Sequence, residues 1–511
     1  MADLKPLLVL KNSIFRRQYL SKDIFPNPTT LTVNPGEKWV ITGSNKSILL
    51  DCLAGKNMAI PSSSRVYPFL NSKTWPASVM KLISFNTDVK PAYLSARYES
   101  YREPEDVSLM EFLKKAQNQS RDGVPTTLDK DEIFDQVVKR LNLTPLLHQW
   151  IVTLSNGQTR RARIARGLLS SPEVLLADEP FLGLDPAATS SLSDMLGGLA
   201  PNPHVILGLR VHEPLPDWVT HVALVDDTGV TAAGTRADMK STLQTAIDKR
   251  ESVFVTSPFD FQKAEFVYSS KPEIKTIIDI DDITIAYRGK VVLKNLKWVV
   301  KRGERWHLRG NNGTGKSTLL SLLTADHPQS WNSKIRLFDS PRKVGRQNYF
   351  SINRDIGHVS PEIHAIFPVT LTAFQAVSTG FTIGSYLPPS NVTHMAGGSL
   401  TKDDRDARIK MFLDHFKVSA DSLFSDLTLN DQKLVLFMRA IIKNPEILIL
   451  DEAFSGMNDE SIARCKNFVD VWGGTVIAIG HVDDEIPRCS KYIRLHGGEN
   501  LAEIGDISSS I

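Results

Sequence analysis

Lys316 and Ser317 close the run Gly310-Asn311-Asn312-Gly313-Thr314-Gly315-Lys316-Ser317, with Thr318 next in the chain. The spacing Gly-x4-Gly-Lys-Ser is that of a phosphate cradle. Its glycines let successive backbone N–H groups curl around phosphate oxygens, and a helix start adds the positive end of its dipole. The lysine then reaches the terminal phosphates of a nucleotide such as ATP, and the serine hydroxyl ligates Mg2+. The bland alternative is a glycine-rich turn with a chance lysine. Against it stands the pair Asp451-Glu452, which ends the apolar run Ile447-Leu-Ile-Leu. Asp451 fits a carboxylate on the metal side, and Glu452 fits a general base that orients a water. His481 follows the apolar run TVIAIG and is expected to hydrogen-bond a terminal phosphate. Outside this context it would be an ordinary solvated loop histidine. Tyr287, in IAYRGKVVL ahead of the loop, is placed either to stack on an adenine or to pack in the core from a strand face.

Those residues need strands that end where the loops begin. WHLRG precedes the loop and KSTLLSLL follows it, a strand–turn–helix order. Strands alternating with helices predict an α/β fold with a parallel sheet and ligands at the strand ends. The pattern also repeats. SSPEVLLADEPFLGLD, ending at Asp185, aligns with KNPEILILDEAFSGMN, ending at Asn458, and GEKWVITGSN from Gly36 aligns with GERWHLRGNN from Gly303. The expected organisation is a first domain over 1–244, a linker over 245–273 that carries Pro258 and Pro272, and a second domain over 274–511.

The first half contains Leu154-Ser155-Asn156-Gly157-Gln158, followed by basic residues and then by the acidic strand end Asp178-Glu179. With the phosphate loops and acidic strands, this resembles the LSGGQ signature of ATP-binding cassette proteins, over nearly the whole chain. The resemblance implies two P-loop NTPase domains, each a parallel-sheet core with an inserted helical subdomain. It also implies ATP and Mg2+ as ligands, and head-to-tail pairing of the two halves within one chain. One composite site would then join Gly310–Ser317, Asp451, Glu452 and His481 to Ser155, Gly157, Gln158 and Asp185. As a group, the soluble tandem ATPases of the ModF type and their fungal relatives are the most similar.

The other composite site departs from the family pattern at several points. Its phosphate loop is shortened to Gly43-Ser44-Asn45-Lys46-Ser47, three residues less than the family spacing. Its signature, Leu427-Thr428-Leu429-Asn430-Asp431, puts Asn430 in the place of glycine. Arg210 takes the switch-histidine position with His212 nearby, and Asn458 replaces the second-half counterpart of Asp185. Asp178 and Glu179 are retained. Departures gathered on one site predict an asymmetric ATPase with a single hydrolytic centre. In the loop after IGHVS the family's glutamine is absent, and Pro361 and Glu362 stand there. Asn86 in ISFN is the first-half candidate for that place. Gly397-Gly398-Ser399 is read as a turn.

Composition limits the remaining choices. Lys plus Arg total 60 against 57 Asp plus Glu, a net charge of +3 that gives no electrostatic reason to expect nucleic acid. Cys52, Cys465 and Cys489 are too few and too scattered for a disulfide framework or a zinc or iron–sulfur centre. No apolar run reaches the roughly 18 residues that a membrane helix requires. The expected compartment is cytoplasmic. Phe15, Arg16, Arg17 and Tyr19 leave a mitochondrial targeting segment as the alternative to a first strand at Leu7–Leu10. The linker lacks the long charged helical arm of the cassette-type translation factors. The resemblance leaves open an unidentified protein partner or a separate membrane partner.

Overall fold

A computed structural model describes residues 5–19, 22–70, 75–85, 107–119, 130–151, 154, 156–182, 184, 186–199, 203–253, 259–261, 276–287, 290–311, 313–343, 345, 347–389, 400–498 and 500–507. The chain forms two compact units that divide between Val253 and Phe254. The linker expected to begin at 245 therefore starts later. Lys240–Val253 is a single helix that crosses that position.

Each unit is built on a six-stranded sheet with the same order. In the second unit the strands run Ile356–Val359, Ile447–Asp451, Thr475–Ile479, Arg305–Arg309, Lys491–Arg494 and Glu503–Asp506. The first five are parallel, and the last pairs antiparallel with its neighbour. In the first unit the order is Met80–Ser84, Val174–Asp178, His204–Leu209, Trp39–Thr42, His221–Asp226 and Gly229–Thr235, with the same directions. The parallel sheet inferred from the strand–helix alternation is thus present twice. A smaller antiparallel sheet accompanies each, on Leu8–Arg16 in the first unit and on Thr276–Tyr287 paired with Lys290–Lys301 in the second. Leu8–Arg16 is the first strand expected near Leu7–Leu10.

The apolar runs explain the sheet centres. VLLAD and ILILD are buried at all five positions. A strand covered by helices on both faces needs an unbroken apolar run rather than alternation. In both units the loop strand lies between the switch strand and the penultimate strand, so the phosphate loop, acidic pair and switch residue emerge along one sheet edge. Helices inserted between the sheet strands form a second layer. The longer ones are Leu109–Gln119, Lys130–Arg140 and Asn156–Leu168 in the first unit, and Lys402–Phe416 and Leu429–Ile441 in the second.

Phe259, early in the second unit, packs into its core. Its ring lies 4.7 Å from Phe412, 5.2 Å from His415 and 4.9 Å from Phe468, centroid to centroid. That segment reads as linker in composition, yet this residue is 8% exposed.

Candidate functional site

In the second unit the strand Arg305–Arg309 runs into a loop that only glycine permits. Gly310, Gly313 and Gly315 all have left-handed backbone, with φ of 146°, 83° and 100°. A Cβ on Gly310 would lie 2.6 Å from the Leu495 carbonyl oxygen, so both conformation and space exclude a side chain there. Gly315 caps the helix Lys316–Leu323 without a side-chain hydrogen bond, and no acidic residue lies in the first turn. A helix start without a side-chain cap and its positive dipole end therefore suit an anion. Lys316 is buried, and its Nζ donates to the carbonyls of Gly310 at 2.6 Å and Asn311 at 3.1 Å. Ser317 is exposed at the helix start, with Thr318 half-buried beside it. Asn312 and the Tyr287 side chain lie outside the described residues.

The acidic pair stands on the neighbouring strand. Asp451 is buried at the end of Ile447–Asp451. Burial, then the charges of Glu362 and Glu452, push its carboxyl well above the usual range against the pull of Lys316. Glu452 adopts a left-handed φ of 46°, and its N–H donates to the Ile479 carbonyl at 3.0 Å. Burial also raises the Glu452 carboxyl, although Lys433 and Lys316 oppose it. His481 Nε2 lies 3.6 Å from Glu452 Oε1. Lys433 donates to the Glu452 carbonyl at 3.4 Å and to that of Ser455, pinning the turn after the acidic pair. Glu362, at the place of the missing glutamine, stands in the first turn of the short helix Pro361–Ile366 capped by Ser360, close enough for both acids to feel its charge.

These groups fit Mg-ATP. A Cβ on Gly313 would meet nothing within 4 Å, and the oxygen donors Ser317 and Asp451 are those a hard cation takes. Among the described residues, no group of three or more His, Cys, Asp or Glu side chains is arranged to hold a metal alone. An ion here would need oxygens from a phosphate as well.

The first unit repeats the frame with different chemistry. Gly43 has φ of 115°, and a Cβ there would lie 1.9 Å from the Val225 carbonyl oxygen. The helix Lys46–Leu53 has the same length as its counterpart, but its N-cap is Asn45 at φ −109° in place of a left-handed glycine. Asn45 Nδ2 donates to Asp227 Oδ1 at 3.0 Å. Lys46 Nζ pairs with Glu179 Oε1 at 2.6 Å. Arg210 Nε approaches the same oxygen at 3.4 Å and Glu213 at 3.9 Å. Burial alone would raise the Glu179 carboxyl, but Lys46 and Arg210 more than offset it, bringing it to about 2. Asp178 goes the other way, to about 6, mainly by burial, with Lys46 and a Ser47 hydrogen bond opposing. Like Glu452, Glu179 has left-handed backbone, φ 53°.

The signature helices differ as well. Asn156–Leu168 has no acidic residue in its first turn. Gly157 and Gln158 lie half-buried on that turn, whereas Ser155 and Asp185 lie outside the described residues. In the second unit Thr428 caps Leu429–Ile441 by accepting from the Asp431 N–H, and Asp431 places a carboxylate at the helix start. Asn430 Oδ1 accepts from the Asn458 N–H at 2.9 Å, which ties the altered signature to its own acidic-strand loop. Asn86 and Gly397–Ser399 also lie outside the described residues.

One tether escaped the sequence reading. Arg160 donates to the carbonyls of Glu179 at 3.0 Å, Pro180 at 3.2 Å and Leu182, as Lys433 does in the second unit. The signal was available, because Arg160 and Lys433 share the alignment offset of the acidic pairs.

Comparison with known proteins agrees with this frame. The family model described as ABC transporter matches residues 26–182 and again 293–455. An uncharacterized ABC transporter ATP-binding protein of Saccharomyces cerevisiae is 36% identical, covering 100% of each chain. One from Schizosaccharomyces pombe is 31% identical over 88% of this chain and 90% of its own. The ABC transporter ATP-binding protein ModF of Escherichia coli is 28% identical over 86% of both. Among solved structures, RNase-L Inhibitor shares the fold at a TM-score of 0.51 and 15% identity, covering 96% of this chain and 90% of that one. No helix among the described residues is long and apolar enough to cross a membrane. With two family matches, two sheets of the same strand order and a 36% identical relative aligned along its whole length, the chain belongs to the ABC transporter family as a tandem pair of ATP-binding domains.

Proposed function

We propose that this chain hydrolyses Mg-ATP at one composite site, and that turnover is coupled to opening and closing of its two halves. The contrast between the two loop lysines carries this reading. Lys316 donates to two loop carbonyls in a turn of left-handed glycines, whereas Lys46 is paired with a buried carboxylate. In the intact half, Gly310–Thr318 bind the phosphates, and Ser317 and Asp451 hold Mg2+, which neutralises charge on them. Glu452 accepts a proton from, and orients, the attacking water, with His481 beside it at the terminal phosphate. Ser155, Gly157, Gln158 and Asp185 of the first half complete the site. The first turn of the signature helix carries no acidic residue, which leaves its positive dipole end to them. Tyr287 stacks on the base.

Phosphate release from the full chain tests the proposal. Lys316→Ala and Glu452→Gln remove turnover, Ser155→Arg does the same from the other half, and Lys46→Ala leaves most of it. Equal loss from both lysine variants would overturn the one-site reading. Absence of turnover in the wild type would leave a nucleotide-gated interaction module. The relatives' printed names as ABC transporter ATP-binding proteins favour a second reading, an energising subunit for a separate membrane partner. Co-purification with an integral membrane protein distinguishes it.

A further inference from the structure

We infer that His307, held by Arg309, is a positioning residue that sets His481 beside Glu452; the inference rests on the hydrolytic site proposed above. His307 lies in the middle of the loop strand, 7% exposed, where a sheet core calls for an apolar side chain. Arg309 Nε donates to His307 Nδ1 at 2.9 Å. A guanidinium can only donate, so Nδ1 carries the lone pair and Nε2 carries the proton. That Nε2–H faces the Gly480 carbonyl at 3.4 Å. Arg309 is itself held over the Tyr492 ring at 4.8 Å, and the Tyr492 hydroxyl donates to Glu503 at 2.6 Å. The line of contacts thus runs from the far edge strand to the switch loop.

Gly480 is where such an anchor matters. Its carbonyl belongs to the peptide plane that leads into His481, so holding it fixes the direction from which the His481 side chain departs. Gly480 has no side chain of its own to pack, and a Cβ there would come 2.7 Å from Ile486. His481 Nε2 then lies 3.6 Å from Glu452 Oε1. The His307 ring stays neutral, because burial and Arg309 lower its pKa to about 4. Protonation therefore does not break the Arg309 bond near neutrality.

The first unit lacks the device. Val40 and Thr42 occupy the positions of His307 and Arg309, and Leu209 that of Gly480, on strands paired in the same register. There the switch position is Arg210, which its ion pair with Glu179 fixes directly. The anchor occurs only beside the intact loop.

The test uses the full chain with His307→Val, the first-half residue, and His307→Gln, whose amide offers both a donor and an acceptor. His307→Val should lower kcat about tenfold, roughly 1.4 kcal/mol. KM for ATP and Kd for a non-hydrolysable analogue should stay within about twofold, and His307→Gln should recover most of the rate. A second readout needs no turnover. In protein labelled with 13C-histidine, the resonance lost in His481→Gln should move in His307→Val and hold in His307→Gln at fixed pH. An unmoved resonance in His307→Val, or an equal loss of rate in both variants, would sink the anchor. A wild type that releases no phosphate refutes the hydrolytic reading; the resonance still decides the anchor.

Discussion

Lys46 Nζ lies 2.6 Å from Glu179 Oε1, with both side chains less than one-tenth exposed. A phosphate bound at this lysine would have to displace a buried carboxylate that Arg210 also holds. In the second unit the corresponding amine donates to two loop carbonyls, contacts that a phosphate can replace without stranding a charge. The two halves thus share a backbone frame and differ in what already occupies the lysine. The shortened loop and the ion pair act in the same direction, since one removes N–H donors and the other removes the cation from service.

Stability should report this difference with opposite signs. Glu179 ionises at about 2, below its ordinary 4.5, so its charged form favours the folded state. That contribution is complete above about pH 4.5 and is lost as pH falls toward 2. At neutral pH, Glu179→Gln takes from Lys46 and Arg210 the carboxylate oxygen they share and should cost about 3 kcal/mol. The deficit relative to wild type should shrink below pH 4.5. The Glu452 carboxyl is raised instead, so its ionised form at neutral pH disfavours folding. Glu452→Gln should therefore leave Tm unchanged or raise it. Thermal unfolding of both variants at pH 7 and pH 4 checks the pair, and a matching drop in Tm for both would contradict the assignment.

Asn430 offers a separate test. Its side chain accepts the Asn458 N–H and sits at the start of a helix already capped by Thr428 and Asp431. Asn430→Gly restores the residue type that the cassette signature carries at this place but removes that bond. It should cost about 1 kcal/mol of stability. Turnover should not rise, because Lys46 remains paired with Glu179. Denaturant unfolding and phosphate release measure the two effects, and a clear gain of activity would show that the second site was limited by its signature alone.

Motifs were legible because their chemistry depends on residue type at fixed spacing. Gly310 to Ser317, Asp451-Glu452 and the leucine-rich strands before them needed no tertiary information. The missing residues around Gly43 were legible too, but not what Lys46 does in consequence. Its partner is 133 positions away, and the pairing depends on where two strand ends meet. Arg210 could be aligned with His481, yet its contact with Glu179 is a matter of reach. Composition misled at the linker. Serine, proline and charge suggested an interruption from 245, whereas Lys240–Val253 continues as helix and Phe259 is packed. Phe259 and Phe261 stand beside Pro258 and Asp260, too short a run to give a periodicity from which to infer burial.

Phe259 itself supplies the last prediction. Its ring meets Phe412 and His415 on the helix Lys402–Phe416 and Phe468 on the helix Asp459–Val471. It therefore joins the inserted helical layer to the helix that follows the acidic strand. A buried phenylalanine cut to alanine loses its transfer free energy and leaves a cavity, a cost of about 3 kcal/mol. Phe259→Leu keeps most of the volume and loses the edge-to-face ring contacts, so it should cost about 1 kcal/mol. Denaturant midpoints of the full chain should fall in that order. A linker residue without a structural role would leave both midpoints where they are, and that result would show the packing to be incidental.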